Sequence, residues 1–498
     1  MKLGYQMNRI IKLKLLVVTA LLLMFTGCND LLENVEPATS VSGEQVLSTP
    51  EGVESLRSSM YNKVHSSFAY RTEYFVAPSA FTDETRNRPG STRYQELNEA
   101  RGSTCCSNIG SWGAHYQIIQ DANLLIGAVE DGVLDQENLD QIQGEAHALR
   151  AFAMHNLVKA YGYEPGNFDM GPESNWDLGV IIRTEPVLDV ADADERPRST
   201  VEQVYQAILN DLQSAKTLLA GVNSDNTFVT EAFVDGISAR VNLYAGNWSD
   251  AADAAQRAID NFPGALETTA DGVAEMFDEN IGDHPEALFK VVVNPDTEGG
   301  GFGNDGPATY TSDGFLAQLP TQFLIDKYDA DDHRMGWYRD CADAQRIALN
   351  QPTGCDAIND EGYSLVKFNG AKGNNVDDLP YMRLAEMYLI RAEALAKDAN
   401  SAASGLAPLQ DLRDARNAGD VPVTALASIE DFEDFILDER MRELALEGHR
   451  FYDLKRLGRD IRNPDGSIKM RADSYRILAP IGNTILSENP ELVENPEY

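Results

Sequence analysis

A succession of apolar stripes at three- and four-residue steps constrains this chain more than any other feature. Leu139, Ile142, Ala146, Leu149, Ala153, Leu157 and Ala160 fall on one side of a helix. Gly162 and Pro165 then stop it, because proline cannot continue the hydrogen-bond ladder. Trp112, Tyr116, Ile119, Asn123 and Ile126 make an earlier stripe. Thr200 and Gln203 fit a capping box, with Val201, Val204, Tyr205, Ile208, Leu212, Ala215 and Leu219 behind it. Thr49-Pro50 opens a helix carrying Val53, Leu56, Met60 and Val64. Further helices are expected from about Thr230 to Tyr244, from Trp248 through Ile259, and over Tyr381 to Lys397, Ala403 to Arg416 and Ile429 to Glu447.

Short turns join these helices in pairs, and alanines at the close-approach positions let the pairs nest. Tyr244-Ala-Gly-Asn-Trp248-Ser-Asp-Ala251 resembles the turn and second-helix entry of a tetratricopeptide repeat, although the period is irregular. The expected fold is mainly α: tetratricopeptide-like helix pairs with long loop-rich insertions and few short strands. One insertion spans Ser66 to Ser111 and the other Asn294 to Gly373. Both are rich in Gly, Asn, Asp and aromatics, and neither carries a helical stripe. Long loops on a rigid frame are where binding groups concentrate. A short strand over Ala287 to Val293 leads into the second insertion.

The N-terminus reads as a leader. Lys2, Arg9, Lys12 and Lys14 precede an apolar core, Leu15 to Phe25, that is short for a membrane span. Thr26-Gly27-Cys28 then resembles the lipobox of bacterial lipoproteins, in which the cysteine thiol is acylated and the leader removed. This divides the chain into a signal peptide (1–27), an acylated tether (28–48), an N-terminal region (49–225) and a C-terminal region on the same helical scaffold (226–498). The formal charge of −38 disfavours nucleic acid as a partner, because such a surface repels phosphate backbones.

Cys105, Cys106, Cys341 and Cys355 allow three pairings. Cys341 and Cys355 bracket a polar loop and are the pair the sequence favours. Gly301-Phe-Gly303-Asn-Asp-Gly306 matches a dinucleotide fingerprint in spelling only, since Pro307 and a polar run follow it instead of an apolar helix. His147 and His155 are eight residues apart, roughly 12 Å along a helix, too far to share a metal ion. The run Asp329 to His333 lacks the glycine and distal glutamate of a calcium loop. No catalytic residue, metal site or cofactor is assigned.

The segment Asp438 to Arg456 alternates charge with Leu444, Phe451 and Leu454. Its spacing suggests the pairs Asp438–Arg442, Glu447–Arg450 and Asp453–Arg456, a charged network pinned between helices. Glu439-Arg440-x-Arg442-Glu443-Leu444-Ala445-x-Glu447-Gly448-His449-Arg450-Phe451-Tyr452-Asp453-Leu454-x-Arg456 resembles the C-terminal signature of the SusD/RagB family. Gly144-Glu145-Ala146-x-x-Leu149-Arg150-Ala151-Phe152 resembles its N-terminal signature, and Arg383 to Ala394 a third block. The resemblance implies a cell-surface lipoprotein of the outer membrane that binds oligosaccharides and delivers them to a SusC-like TonB-dependent transporter without cleaving them.

A sugar offers apolar C–H faces to aromatic rings and hydroxyls to Asn, Asp and Arg. The candidate ligand residues chosen on that ground are Tyr70, Tyr74, Asp83, Arg86, Asn87, Arg93 and Tyr94 in the first insertion. In the second they are Phe302, Tyr310, Trp337 and Tyr338. The alternatives are a lipid-anchored glycoside hydrolase, a receptor of the same fold for peptides or other nutrients, and a repeat scaffold that binds only protein.

Overall fold

The computed structural model describes residues 46–66, 68–101, 109–189, 193–221, 225–278, 283–294, 296, 306–311, 317–341, 362–370, 372 and 376–498. The leader, Cys28, Cys105, Cys106, Phe302, Cys355 and the glycine-rich run 301–305 lie outside them. Residues Leu47–Tyr498 form one compact unit.

The stripes become helices. They are α1 (Pro50–Ser66), α2 (Thr72–Ala80), α3 (Trp112–Gly127), α4 (Gln136–Tyr161), α5 (Val201–Leu218), α6 (Glu231–Ala245), α7 (Trp248–Asn261), α8 (Leu384–Asp398), α9 (Ala402–Ala415), α10 (Ile429–Glu443) and α11 (Arg450–Arg456). From α3 to α9 each helix packs on the next in chain order, across the long excursion between α7 and α8. The fold is thus mainly α, a stack of helix pairs with few short strands. Among the described residues no helix is long and apolar enough to cross a membrane.

Local chemistry sets the helix ends. Thr200 and Gln203 form the expected capping box at α5. Thr230 accepts from the Phe233 N–H at the start of α6, and Gly246, at φ +75°, closes its end. Where α9 meets α8, Gly405 leaves room that no other residue could: a Cβ there would lie 2.2 Å from the Ala392 carbonyl. His147 binds Asp211 (2.7 Å), and His155 is enclosed by the rings of Tyr205 and Tyr244, so both histidines are structural.

Three expectations change. Residues Tyr381 to Arg383 belong not to a helix but to strand β6 (Leu379–Arg383), antiparallel to β2 (Ala287–Val291), and α8 begins at Leu384. Every residue of both strands is buried, so their sequences lack the alternation that marks a half-exposed strand. The first insertion holds a helix, α2, buried along most of its length and therefore without a stripe. The helix expected to reach Glu447 stops at Glu443. Leu446 (φ +59°) and Gly448 (φ +81°) turn the chain there.

Two of the three expected ion pairs are replaced, mostly by partners far along the chain. Asp438 meets Lys327, Arg442 meets Glu439, and Arg450 meets Asp83. Only Asp453–Arg456 keeps its partner (2.9 Å). Glu447 instead receives Arg383 (2.6 and 2.8 Å) and Lys367 (2.6 Å). Glu443 receives Arg383 (3.0 Å), Arg416 (3.0 and 3.1 Å) and Arg334 (3.2 Å). Glu439 holds Arg334, Arg413 and Arg442, and Glu286 holds Arg416. Burial alone would raise the Glu443 carboxyl, but Arg416, Arg383 and Arg334 outweigh it and hold it well below the usual carboxylate range. This lattice welds the excursion between α7 and α8 to the C-terminal helices.

Candidate functional site

The two insertions meet in sheet fragments. Strand β1 (Thr85–Asn87) runs antiparallel to β3 (Gln318–Pro320), with Arg86 opposite Leu319. Strand β4 (Tyr338–Asp340) pairs with β5 (Tyr363–Leu365), and β5 packs against β3. Gln318 fixes the register. Its amide accepts from Thr85 Oγ1 (3.0 Å), lies against Asn87 and donates to the Arg93 carbonyl (3.3 Å).

After β1 the chain turns through Pro89 and Gly90 and returns at Arg93-Tyr94. Tyr94 adopts the left-handed conformation (φ 54°) as it opens a short helix, Gln95–Asn98. A side chain with a Cβ adopts that geometry at a cost of roughly 1 kcal/mol, so the tertiary contacts must hold it there. Asn98 supplies one such hold, donating to the Ala80 and Thr85 carbonyls (3.1 Å each). The Tyr94 ring lies 5.4 Å from that of Tyr310, tilted by 34°. The Arg93 guanidinium sits 5.6 Å from the Tyr310 ring and donates to its hydroxyl (2.9 Å). Arg86, Asn87, Arg93 and Tyr94 are half-buried. Asn87 meets Gln318, whose amide also reaches the Arg93 carbonyl, so Asn87, Arg93 and Tyr94 gather on one side of β1, whereas Arg86, the next residue on the strand, points to the other side, its Nη2 3.7 Å from the Cβ position of Gly362.

The remaining candidates sit inside the protein. Tyr70 is fully buried, with its hydroxyl 2.6 Å from His115 Nδ1 and its ring among Phe152 and Tyr381. Trp337 is fully buried and donates its indole N–H to the Val273 carbonyl (2.7 Å). Tyr338 is buried and donates to Tyr328, whose own proton goes to the Arg442 carbonyl. Asp83 is buried in a two-pronged pair with Arg450 (2.8 and 3.0 Å). Tyr310 is buried behind Tyr94. These five were chosen from composition and loop placement, and the structure places them buried in the packing of the insertions. Aromatic enrichment in a loop does not distinguish a ring that pins the loop from a ring it displays.

Tyr74 is half-buried, accepts from Arg240 (3.2 Å) and lies under Lys159 (5.3 Å). Burial and the nearby Arg240 lower the Lys159 ammonium to about 7. Cys341 is disulfide-bonded, and its expected partner Cys355 lies outside the described residues. Among the described residues no group of three or more His, Cys, Asp and Glu side chains is arranged to hold a metal ion.

The sequence reading missed Gln318 and the half-buried Tyr363 on β5. Gln318 pairs with residues more than 230 positions away, which leaves no local signature that could have found it.

This architecture matches known proteins. A family model described as the SusD family matches residues 345–498, and one described as "Starch-binding associating with outer membrane" matches 31–243. A SusD-like protein of Formosa agariphila is 25% identical across 98% of this chain and the whole of its own length. A crystal structure of a SusD superfamily protein from Bacteroides thetaiotaomicron superposes with a TM-score of 0.74 at 24% identity, covering 90% of this chain and 100% of that one. A laminarin-binding SusD-like protein superposes with a TM-score of 0.69 at 22% identity, covering 91% and 100%. The chain belongs to the SusD family.

Proposed function

We propose that this protein captures oligosaccharides at the outer membrane and passes them to a TonB-dependent transporter without breaking bonds. Tethering through an acylated Cys28 on the outer face of the cell completes the reading. The observation that carries it is the half-buried group of Tyr94, Arg93 and Asn87, held by β1 and its pairing with β3. A ring edge beside fixed amide and guanidinium donors suits a ligand with C–H faces and a rim of hydroxyls. The similarity to a laminarin-binding protein points the same way.

Binding is favoured over hydrolysis by where the nearby carboxyls go. Asp83 is committed to Arg450, and Glu84 is fully buried beneath β1, so neither is placed to flank a glycosidic bond. Calorimetry and affinity electrophoresis against a polysaccharide panel test the reading. Saturable binding with oligosaccharides recovered intact supports it, whereas binding of peptides alone, or shortened products, overturns it.

A further inference from the structure

A cavity of about 560 Å³ lies where the start of α6, the chain leaving α7 and the lead into β2 come together. Its described lining residues all fall between Gly221 and Leu288, so neither insertion contributes to it. The local sequence builds its wall. Helix α7 stops at Asn261 because Phe262, ahead of Pro263, is extended (φ −77°, ψ 128°). The chain then passes Gly264, where a Cβ would lie 2.6 Å from the Phe262 ring and 3.1 Å from the Pro285 carbonyl. Only glycine leaves the half-buried ring that close to the backbone.

Around this ring are polar groups that internal bonding does not use up. His284 Nδ1 accepts from the Glu286 N–H (3.2 Å), which leaves the ring proton on Nε2. That Nε2 is buried and has no hydrogen-bond partner among the described residues. The Phe277 ring, 4.6 Å away and at 86°, fixes the plane of the imidazole. Burial, with Arg383, Lys367, Lys290 and Arg416 nearby, holds the imidazole well below its usual range, so it is a neutral donor. Asn226 donates to the Ala287 carbonyl (2.8 Å) and Asn261 to Asp235 (3.2 Å), so both side-chain oxygens remain to accept. Among the described residues Glu231 accepts from the Gly221 N–H alone (3.4 Å).

We infer that this cavity is a second carbohydrate-binding site, taking a neutral sugar unit that stacks on Phe262 and hydrogen-bonds to Glu231, Asn226 and the His284 Nε2–H. The inference extends the oligosaccharide-binding reading to a site that shares no residue with the Tyr94 group. The volume falls within the roughly 300–1,000 Å³ of small-molecule sites. An apolar ligand would leave the imidazole N–H and the amide oxygens unpaired. An anion would meet the Glu231 carboxylate and no Lys or Arg among the described lining residues. A sugar hydroxyl both donates and accepts, and the C–H face of the same sugar suits the ring.

The test is calorimetry on the full-length protein with laminari-, cello-, malto- and xylo-oligosaccharides. Tyr94→Asn isolates the cavity from the insertion face. Saturable binding of one of these oligosaccharides should persist in Tyr94→Asn. Adding Phe262→Leu, which keeps an apolar side chain but removes the ring, should weaken that binding about tenfold. Adding Glu231→Gln instead should weaken it about fivefold; this position is partly exposed, so the test stays open should Phe262→Leu fail to fold. A uronic oligosaccharide should bind Tyr94→Asn more weakly than its carboxyl-reduced counterpart, and the reverse order overturns the assignment to a neutral sugar. Parent binding that Tyr94→Asn abolishes, or residual binding that neither cavity variant changes, overturns the inference and leaves oligosaccharide binding standing. Failure of the parent to bind any of these glycans overturns both.

Discussion

Arginine stands in two different settings in this molecule. In the lattice of Glu286, Arg334, Arg383, Arg416, Glu439, Glu443 and Glu447, each guanidinium is buried against carboxylates from other elements. In the turn after β1, arginines cluster without an acidic neighbour in the sequence, on a partly open face. Burial and partner, not residue type, decide which charge is locked into the fold and which stays on a partly open surface. A buried ion pair must offset the desolvation of two charges, so it survives only when fully satisfied. A half-buried guanidinium keeps part of its hydration and can exchange it for a ligand.

Breaking the lattice gives the largest expected effect. Glu443→Gln leaves Arg383, Arg416 and Arg334 short of charge in a dry interior and should destabilise the fold by about 3–5 kcal/mol. Urea unfolding measures it. A loss below 1 kcal/mol would mean the lattice is not a structural weld.

pH sharpens the contrast. Glu84 has its folded value raised to about 8, so its contribution to stability is lost as pH rises from about 4.5 through about 8. Glu84→Gln, which resembles the protonated form, should be more stable than the parent above pH 8. The gain is on the order of 2–4 kcal/mol and should fade below about pH 4.5. The sign reverses for Glu386. Burial would raise it, but Arg240 and His449 hold it down at about 2, so its contribution is lost as pH falls from about 4.5 toward 2. Thermal melts of parent and variant across pH 3–9 check both signs, and a Glu84→Gln gain confined to acid pH would refute the assignment.

At the open face the expected change is in affinity. Tyr94→Asn keeps a residue that tolerates the left-handed backbone and removes the ring. Glycan affinity should fall about tenfold, or about 1.4 kcal/mol, with the urea midpoint nearly unmoved. Unchanged affinity would place the sugar elsewhere. The smallest effect belongs to a ring inside the core. Tyr70→Phe removes the hydroxyl facing His115 and should cost about 1 kcal/mol of stability with no change in glycan affinity. A drop in affinity there would bring the core back into the binding site.

Much of the frame was legible in the amino-acid order. The capping box at Thr200, the cap at Thr230 and the stripes of α3, α5 and α7 are local: propensity, capping and one-sided burial all act within a few residues. Legibility failed where an element is buried all round. Strand β6 and helix α2 show neither alternation nor stripe, because β6 is wholly buried and only Glu73 and Tyr74 of α2 are partly exposed. The sheet registers, the replacement of Glu447–Arg450 by Glu447–Arg383, and the burial of Trp337 and Tyr310 depend on partners far along the chain.

By itself, then, the sequence determined a helical scaffold, its family and a pair of insertions supplied with rings and polar groups. Only the tertiary structure decided which of those groups face outward. Burial is a property of the neighbours a side chain acquires from distant parts of the chain, and in the two insertions those neighbours come from β-strand pairing that no local pattern encodes.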